Sequence, residues 1–317
     1  MNKWKIIALV GGVMLVGALV WLYVSDGALR NGRSAPIPLV DKNLELAAVY
    51  YPGTQEAGLI LLQGFGSDQV AMHSMASEFA QAGVHVLTFD FTGHGRSPGG
   101  IGFDNAQTDD LARQFLAATQ QFEAASGLNA DQIILMGHSM GARVALQAMT
   151  MSDDPALGLI LLGAQVNLTP NQQAEVFTGV SDTDLVWVQS LNATQPATDV
   201  LLITGAWDDI LPPAAAQMLL DQLTGGGSEA GFSRKLVVFN ALVHNYEIYS
   251  PRVLGLAKSW AGERWGLVLP DAAPTAAQRI PLWLEGLAGL FLLTLGFWGW
   301  INTSRKKLSE PVAVDTS

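Results

Sequence analysis

Through the middle of the chain, short apolar runs alternate with longer segments whose apolar residues recur at helical spacing. The runs are Leu44–Tyr51, Gly58–Gln63, Val84–Asp90, Gln132–Met136, Leu157–Gly163, Val200–Gly205 and Lys235–Phe239. They are rich in Leu, Ile and Val and apolar at nearly every position, as expected of strands buried on both faces. The helical pattern covers Gln69–Ala82, Asn105–Ser126, Ala142–Met151 and Pro213–Leu223. Such alternation predicts an α/β fold whose mostly parallel sheet is covered on both sides by helices. In such sheets functional groups gather beyond the carboxyl ends of the strands. No internal repeat or long low-complexity segment interrupts the rhythm; Gly225-Gly226-Gly227-Ser228 reads as one flexible loop.

The pattern changes at both ends. Ile6–Val24 is uncharged and apolar, follows Lys3 and Lys5, and ends in Trp21-Leu22-Tyr23. About 20 such residues cross a bilayer as a helix, and aromatic residues suit its edges. The reading is an uncleaved signal anchor; a cleaved signal peptide is the alternative, although such peptides have shorter apolar cores. Ile280–Ile301 is apolar all round apart from Glu285, carries Trp283, Trp298 and Trp300, and precedes Arg305-Lys306-Lys307. It reads as a second transmembrane helix, with an amphipathic or core helix as the alternative. The basic flanks place both termini in the cytoplasm and the domain between them outside, at the inner membrane of a bacterium.

The expected layout is a cytoplasmic start at 1–5, a span at 6–24, a linker at 25–35, a globular domain at 36–265, a linker at 266–279, a span at 280–301 and a cytoplasmic tail at 302–317. Hydrophobic residues make up 49% of the chain and charged residues only 14%, which fits the two spans. Residues 25–304 carry 12 Lys/Arg against 26 Asp/Glu, a formal balance of −14. That charge repels nucleic acid, so no nucleic-acid partner is expected. The chain has no cysteine, which excludes disulfides, thiol catalysis and Cys-based zinc sites. No metal or cofactor is expected.

Candidate chemistry lies just after the strand ends. Gly137-His138-Ser139-Met140-Gly141 follows the run ending at Met136 and leads at once into a helical pattern. A serine hydroxyl is a weak nucleophile at neutral pH and must be exposed beside a base. A strand, a sharp turn with the serine at its tip and a helix would present it that way, with glycines where a Cβ would obstruct the turn. Gly64-Phe65-Gly66-Ser67, Asp208 and His244 also follow strand ends. The order Ser, Asp, His is the one expected in an α/β-hydrolase.

Four motifs carry a resemblance. They are Gln63-Gly64-Phe65-Gly66-Ser67, Asp90-Phe91-Thr92-Gly93-His94-Gly95-Arg96-Ser97, Gly137–Gly141 and Gly205-Ala206-Trp207-Asp208-Asp209-Ile210-Leu211-Pro212. Together, from about Pro36 to Trp265, the chain resembles the serine aminopeptidase and monoacylglycerol lipase-like branch of the α/β-hydrolases. The resemblance implies an oxyanion loop, a D-x-x-G-H-G-x-S turn, a nucleophile elbow and a G-x-x-D-x-x-x-P acid loop, in that order. One departure is Gln63, where the family usually has a structural histidine; a glutamine can still hydrogen-bond there.

The resemblance implies that Ser139 is the nucleophile. Of five histidines, His138 and His94 lie inside motifs, His85 in a strand and His73 on a helix, so His244 is the base. Asp208 is the expected acid by its spacing, with Asp209 beside it as the alternative. Backbone N–H groups of Phe65 and Met140 are the expected oxyanion donors. Residues 164–198 would form a short, rather polar lid in which Phe177 and Trp187 line an acyl pocket or pack the lid down. The expected activity is hydrolysis of carboxylic, lipid-like esters through an acyl-enzyme. Alternatives are a peptidase or acyltransferase using the same triad, or a non-catalytic tethered binding module. The expected partners are a small-molecule or lipid ester and the membrane; the sequence gives no oligomeric state.

Overall fold

The computed structural model describes residues 2–25, 27, 29–39, 43–100, 105–164, 197–224, 231–270 and 276–309. The chain divides into two compact units, Ala28–Thr275 and the pair Met1–Gly27 with Ala276–Ser317.

In the larger unit, eight of the described strands form one sheet and two form a small separate one. The strands are β1 (Arg33–Ser34), β2 (Ile37–Leu39), β3 (Leu44–Leu46), β4 (Ala48–Tyr51), β5 (Gly58–Leu62), β6 (His85–Phe89), β7 (Ile133–His138), β8 (Gly158–Leu162), β9 (Asp199–Gly205) and β10 (Arg234–Phe239). The main sheet runs β1-β4-β6-β5-β7-β8-β9-β10. The six strands from β6 to β10 are parallel, and β4 and β1 add an antiparallel edge. This is an α/β-hydrolase fold, as the resemblance implies, and its mostly parallel central sheet is the one the alternating pattern predicts.

Alternate strand residues feed two cores. Ile60, Leu62, Leu87, Leu135, Leu161 and Leu202 face one side, with α3 (Asn105–Ser126), α4 (Met140–Met151) and α5 (Pro213–Thr224). Leu59, Leu61, Val86, Ile134, Ile160 and Ile203 face the other, with α2 (His73–Gln81) and α6 (Pro251–Trp265). Because both faces are covered, no polar alternation survives in these strands.

Three details depart from the sequence reading. Leu44–Tyr51, read as one strand, breaks at Ala47: β3 pairs with β2, while β4 joins the main sheet. The Ala47 N–H donates to Ser97 Oγ at 2.8 Å and its carbonyl accepts from Asp90 N at 2.9 Å, so the glycine-rich turn after β6 takes over its backbone groups. Gln69–Ala82, read as one helix, opens with a 3-10 turn at Gln69–Met72 before α2. Helix α6, absent from the sequence reading, starts with Pro251 and stops at Gly266 in the left-handed region (φ 66°).

The smaller unit is a pair of helices, α1 (Lys3–Ser25) and α7 (Ala276–Ser309). Both are long and apolar enough to cross a membrane. They run antiparallel, with Ala18 beside Gly286, Gly11 beside Gly289 and Ala8 beside Gly296. A Cβ on Gly289 would lie 2.8 Å from the Gly11 carbonyl oxygen, so glycine lets the two backbones touch.

Candidate active site

The sheet order reverses between β5 and β7: from β5 the chain goes to β6 on one side and later returns to β7 on the other. A crevice opens at such a switch point beyond the carboxyl ends. Leu62 lies opposite Gly137, and His138 opposite Leu162, so the loops after β5, β7 and β8 leave the sheet at one level.

Ser139 stands between β7 and α4 with φ 55° and ψ −116°. A non-glycine residue in that region is strained by about 1–3 kcal/mol and persists only where its surroundings enforce it. Here the Ser139 N–H donates to the Leu162 carbonyl at 2.9 Å, and its own carbonyl accepts from Ala142 N at 3.1 Å as α4 begins. The flanking glycines are needed for close approach. A Cβ on Gly137 would collide with the backbone of Gly141 and Ala142; one on Gly141 would sit 2.6 Å from the carbonyl oxygens of Leu62 and Gln63.

The loop after β5 passes directly over this elbow. A Cβ on Gly64 would lie 3.3 Å from Ser139 Cβ. Gln63 is fully buried and bridges strands: its amide nitrogen donates to the Phe89 carbonyl at 2.8 Å and its oxygen accepts from Phe91 N at 3.2 Å. Phe65 follows Gly64 with its ring 48% exposed and edge-on to His94 at 6.0 Å. Met140 is the first residue of α4, where N–H groups have no partner within the helix. The Asp90 carboxylate anchors the same region. It accepts from Gln69 N at 2.7 Å, Gln69 Nε2 at 3.0 Å and Arg96 N at 3.0 Å. The D-x-x-G-H-G-x-S turn is therefore tied to the segment that follows the loop over Ser139.

Asp208 and His244 meet although 36 residues apart: His244 Nδ1 donates to Asp208 Oδ2 at 2.8 Å, with both side chains buried. The other Asp208 oxygen accepts from Ile210 N at 3.0 Å and Leu211 N at 2.7 Å. Asp209 is exposed instead. The two loops are stitched together by their backbones, Trp207 N donating to Leu242 O at 3.0 Å and Ala206 N to Phe239 O at 2.9 Å.

Two residues without an assigned role in the sequence reading complete the site. His138 Nε2 donates to the His244 carbonyl at 3.1 Å, and the two rings lie 4.7 Å apart. Burial, then the neighbouring His244, push the His138 pKa down to about 3, so the ring is neutral. Glu247, three residues after His244, is 0% exposed. Its Oε1 accepts from Gly205 N at 2.7 Å, and Oε2 lies 3.9 Å from His138 Nε2. Burial, then the Asp208 carboxylate, push its pKa up to about 9; the Gly205 amide and the nearby Thr204 hydroxyl oppose this. No signal in the sequence marks either residue, because each acts through a partner distant in the chain. His138, His244 and Glu247 come close enough to hold a cation, but a neutral imidazole already donating its proton and a protonated carboxyl do not suit a metal. Residues 165–196, which hold nearly all of the expected lid with Phe177 and Trp187, lie outside the described residues.

Comparison with known proteins agrees with this fold. The serine aminopeptidase family, S33, matches residues 53–191. The chain has the α/β-hydrolase fold. Over 74% of its length and 91% of the other chain it superposes on a Pyrococcus furiosus esterase, with a TM-score of 0.57 and 19% identity. It superposes on the monoacylglycerol lipase of Paleococcus ferrophilus over 70% of its length and 99% of that chain, with a TM-score of 0.51 and 16% identity. A serine hydrolase-like protein of Dictyostelium discoideum is 28% identical over 122 residues, 38% of this chain. That match spans 32% of the Dictyostelium protein's length.

Proposed function

We propose that this α/β-hydrolase is a membrane-anchored serine esterase that cleaves lipid-like carboxylic esters through an acyl-enzyme on Ser139. The observation that carries the reading is the buried 2.8 Å bond from His244 Nδ1 to Asp208, in a site whose serine sits at the tip of a strained elbow. With Nδ1 protonated toward Asp208, His244 Nε2 is free of a proton and can accept the one from Ser139 Oγ as that oxygen attacks the acyl carbonyl. Asp208 stabilises the resulting imidazolium. The N–H groups of Phe65 and Met140 receive the oxyanion, each such donor contributing about 3–4 kcal/mol. The leaving alkoxide takes the proton from His244. Water, deprotonated by the same nitrogen, then releases the carboxylic acid and regenerates Ser139.

Two features support an apolar acyl substrate beside a bilayer. Exposed apolar side chains flank the reacting groups: Trp207 and Ile210 around Asp208, Val243 and Tyr246 around His244, and Phe65 beside Gly64. The antiparallel α1 and α7 bring Lys3, Lys5 and Arg305 to one end, as the topology with both termini in the cytoplasm requires. We assign the larger unit to the extracytoplasmic side on that basis. The matched family's name makes a peptidase the second reading.

A fluorophosphonate probe tests the chemistry. The wild type should label, and Ser139→Ala and His244→Ala should not; a folded wild type that stays unlabelled overturns the proposal. Parallel rates on short-chain esters, long-chain monoacylglycerols and aminoacyl amides separate esterase from peptidase. Reporter fusions after Asn31 and at Ser317 should fall on opposite sides of the membrane, and matching signals would reject the two-span topology.

A further inference from the structure

Beneath the candidate acid–base pair lies a second carboxyl that the reaction does not consume. Glu247 shares the 3-10 turn His244–Tyr249 with the base, yet its Oε1 holds the N–H of Gly205, the residue from which the Asp208 loop departs. The surrounding packing is tight. A Cβ on Gly163 would collide with Glu247 Oε2 and lie 2.8 Å from His244 Nδ1, so Gly163, just after β8, packs directly against both groups. A Cβ on Gly205 would run into the Leu242 carbonyl, which fixes that glycine against the histidine loop.

We propose that Glu247 is a positioning residue for the Asp208–His244 pair, pinning the root of the acid loop to the turn that presents the base. The inference rests on the triad reading above. Its physical logic is that Asp208 Oδ2 can meet Nδ1 at 2.8 Å only if two loops on neighbouring strands keep one separation. The backbone bonds at Ala206 and Trp207 set that separation from one side, and the Glu247–Gly205 bond sets it from beneath.

Glu247 does this as a neutral acid. The titratable groups facing it are Asp208 from the acid loop, His138 from the end of β7 and His244 from its own turn. Among the described residues no lysine or arginine forms an ion pair with it. An ionised Glu247 would be a second buried anion beside Asp208 with no cation to balance it, and the pin would be pushed out of place. One carboxyl of the pair can then serve as the charged partner of His244 while the other holds the frame.

The test uses the full-length protein in detergent, with fluorophosphonate titration to count active sites and a soluble p-nitrophenyl ester as substrate. Glu247→Gln keeps the shape and an oxygen for the Gly205 N–H. Its kcat should stay within about threefold of wild type at neutral pH. Glu247→Leu removes the acceptor and should lower kcat by about tenfold or more, with KM changed less. The wild-type rate should fall as pH rises through about 9, where Glu247 ionises, and Glu247→Gln should lack that fall. If Glu247→Leu does not fold, the two pH profiles decide alone. Equal loss in both variants, full activity in Glu247→Leu, or the same alkaline limb in wild type and Glu247→Gln overturns the proposal. A wild type that labels but shows those results refutes only the role of Glu247; a wild type that does not label removes the triad reading and this inference with it.

Discussion

Substituting alanine for Gly141 tests whether the elbow and the oxyanion loop form one rigid unit. The added Cβ would sit 2.6 Å from the carbonyl oxygens of Leu62 and Gln63, both backbone atoms at the end of β5. No side chain can rotate away, so α4 and the β5 loop must separate by about 0.8 Å to restore ordinary contact. Such overpacking costs about 1–3 kcal/mol of stability. For a unit of this size that lowers Tm by about 2–4 °C per kcal/mol. The catalytic effect should be larger. Gln63 leads directly into Gly64 and Phe65, so the shift moves one expected oxyanion donor relative to Ser139 by most of an ångström. Misplacement by about 1 Å costs about a hundredfold in rate. Ester hydrolysis per fluorophosphonate-titrated site should therefore drop by about that factor in kcat, with KM nearly unchanged and circular dichroism still native. A Gly141→Ala enzyme turning over within about threefold of wild type would refute the claim that this contact sets the oxyanion geometry.

Other substitutions probe the frame. Gly255→Ala, on α6 with open space where the Cβ would go, should raise stability by about 0.5–1 kcal/mol, read as an increase in Tm; a decrease would mean that face of the helix is not open. Lys258 Nζ donates to Glu78 Oε1 at 2.9 Å and to the Pro270 carbonyl at 2.6 Å. Breaking this buried pair with Lys258→Met should cost about 3–5 kcal/mol in urea unfolding, and adding Glu78→Leu should recover most of it, whereas additive losses would exclude coupling. Glu247 has a folded pKa of about 9 above its ordinary 4.5, so the folded state keeps a proton that the unfolded chain releases between those values. Its contribution is fully present below about pH 4.5 and is lost as pH rises toward 9, with a slope of up to about 1.4 kcal/mol per pH unit. The stability of Glu247→Gln relative to wild type should therefore grow from pH 5 to pH 9, and a difference independent of pH would contradict a protonated Glu247.

The candidates Ser139, Asp208 and His244 each lie within a few residues of the end of an apolar run, and parallel strands deliver the residues that follow them to one edge of the sheet. The two strand positions per turn of the pleat explain why runs such as Gly58–Leu62 show no polar alternation: Leu59 and Ile60 enter different cores, and both are fully buried. The break at Ala47 was not legible. Its cause is the Ser97 hydroxyl, 50 residues away, taking the Ala47 N–H. Asp208 and Asp209 are alternatives in the residues themselves; in the structure Asp208 turns inward to backbone donors and His244, and Asp209 is exposed. The helix pair was legible as two apolar stretches, but not the contact between Gly11 and Gly289, which depends on the register of two segments at opposite ends of the chain.

The least legible part, His138 and Glu247, explains a feature of the motif itself. In G-x-S-x-G the second position is open to any residue, and here it is a histidine with its pKa held near 3. A histidine that cannot take a proton is useless as a base, but it is a dependable donor, and it spends its Nε2–H on the His244 carbonyl. The elbow therefore holds the His244 backbone from the residue next to Ser139. Glu247, within the turn of His244, holds the N–H of Gly205, from which the Asp208 loop departs. Among the described residues Asp208 accepts from Ile210 N, Leu211 N and His244 Nδ1, while Glu247 has the Gly205 N–H on one oxygen and the Thr204 hydroxyl nearby, a division that favours charge on Asp208. Of the four titratable side chains gathered here, Asp208 is the one bonded to His244 Nδ1, the side of the ring that gains positive charge in the proposed mechanism.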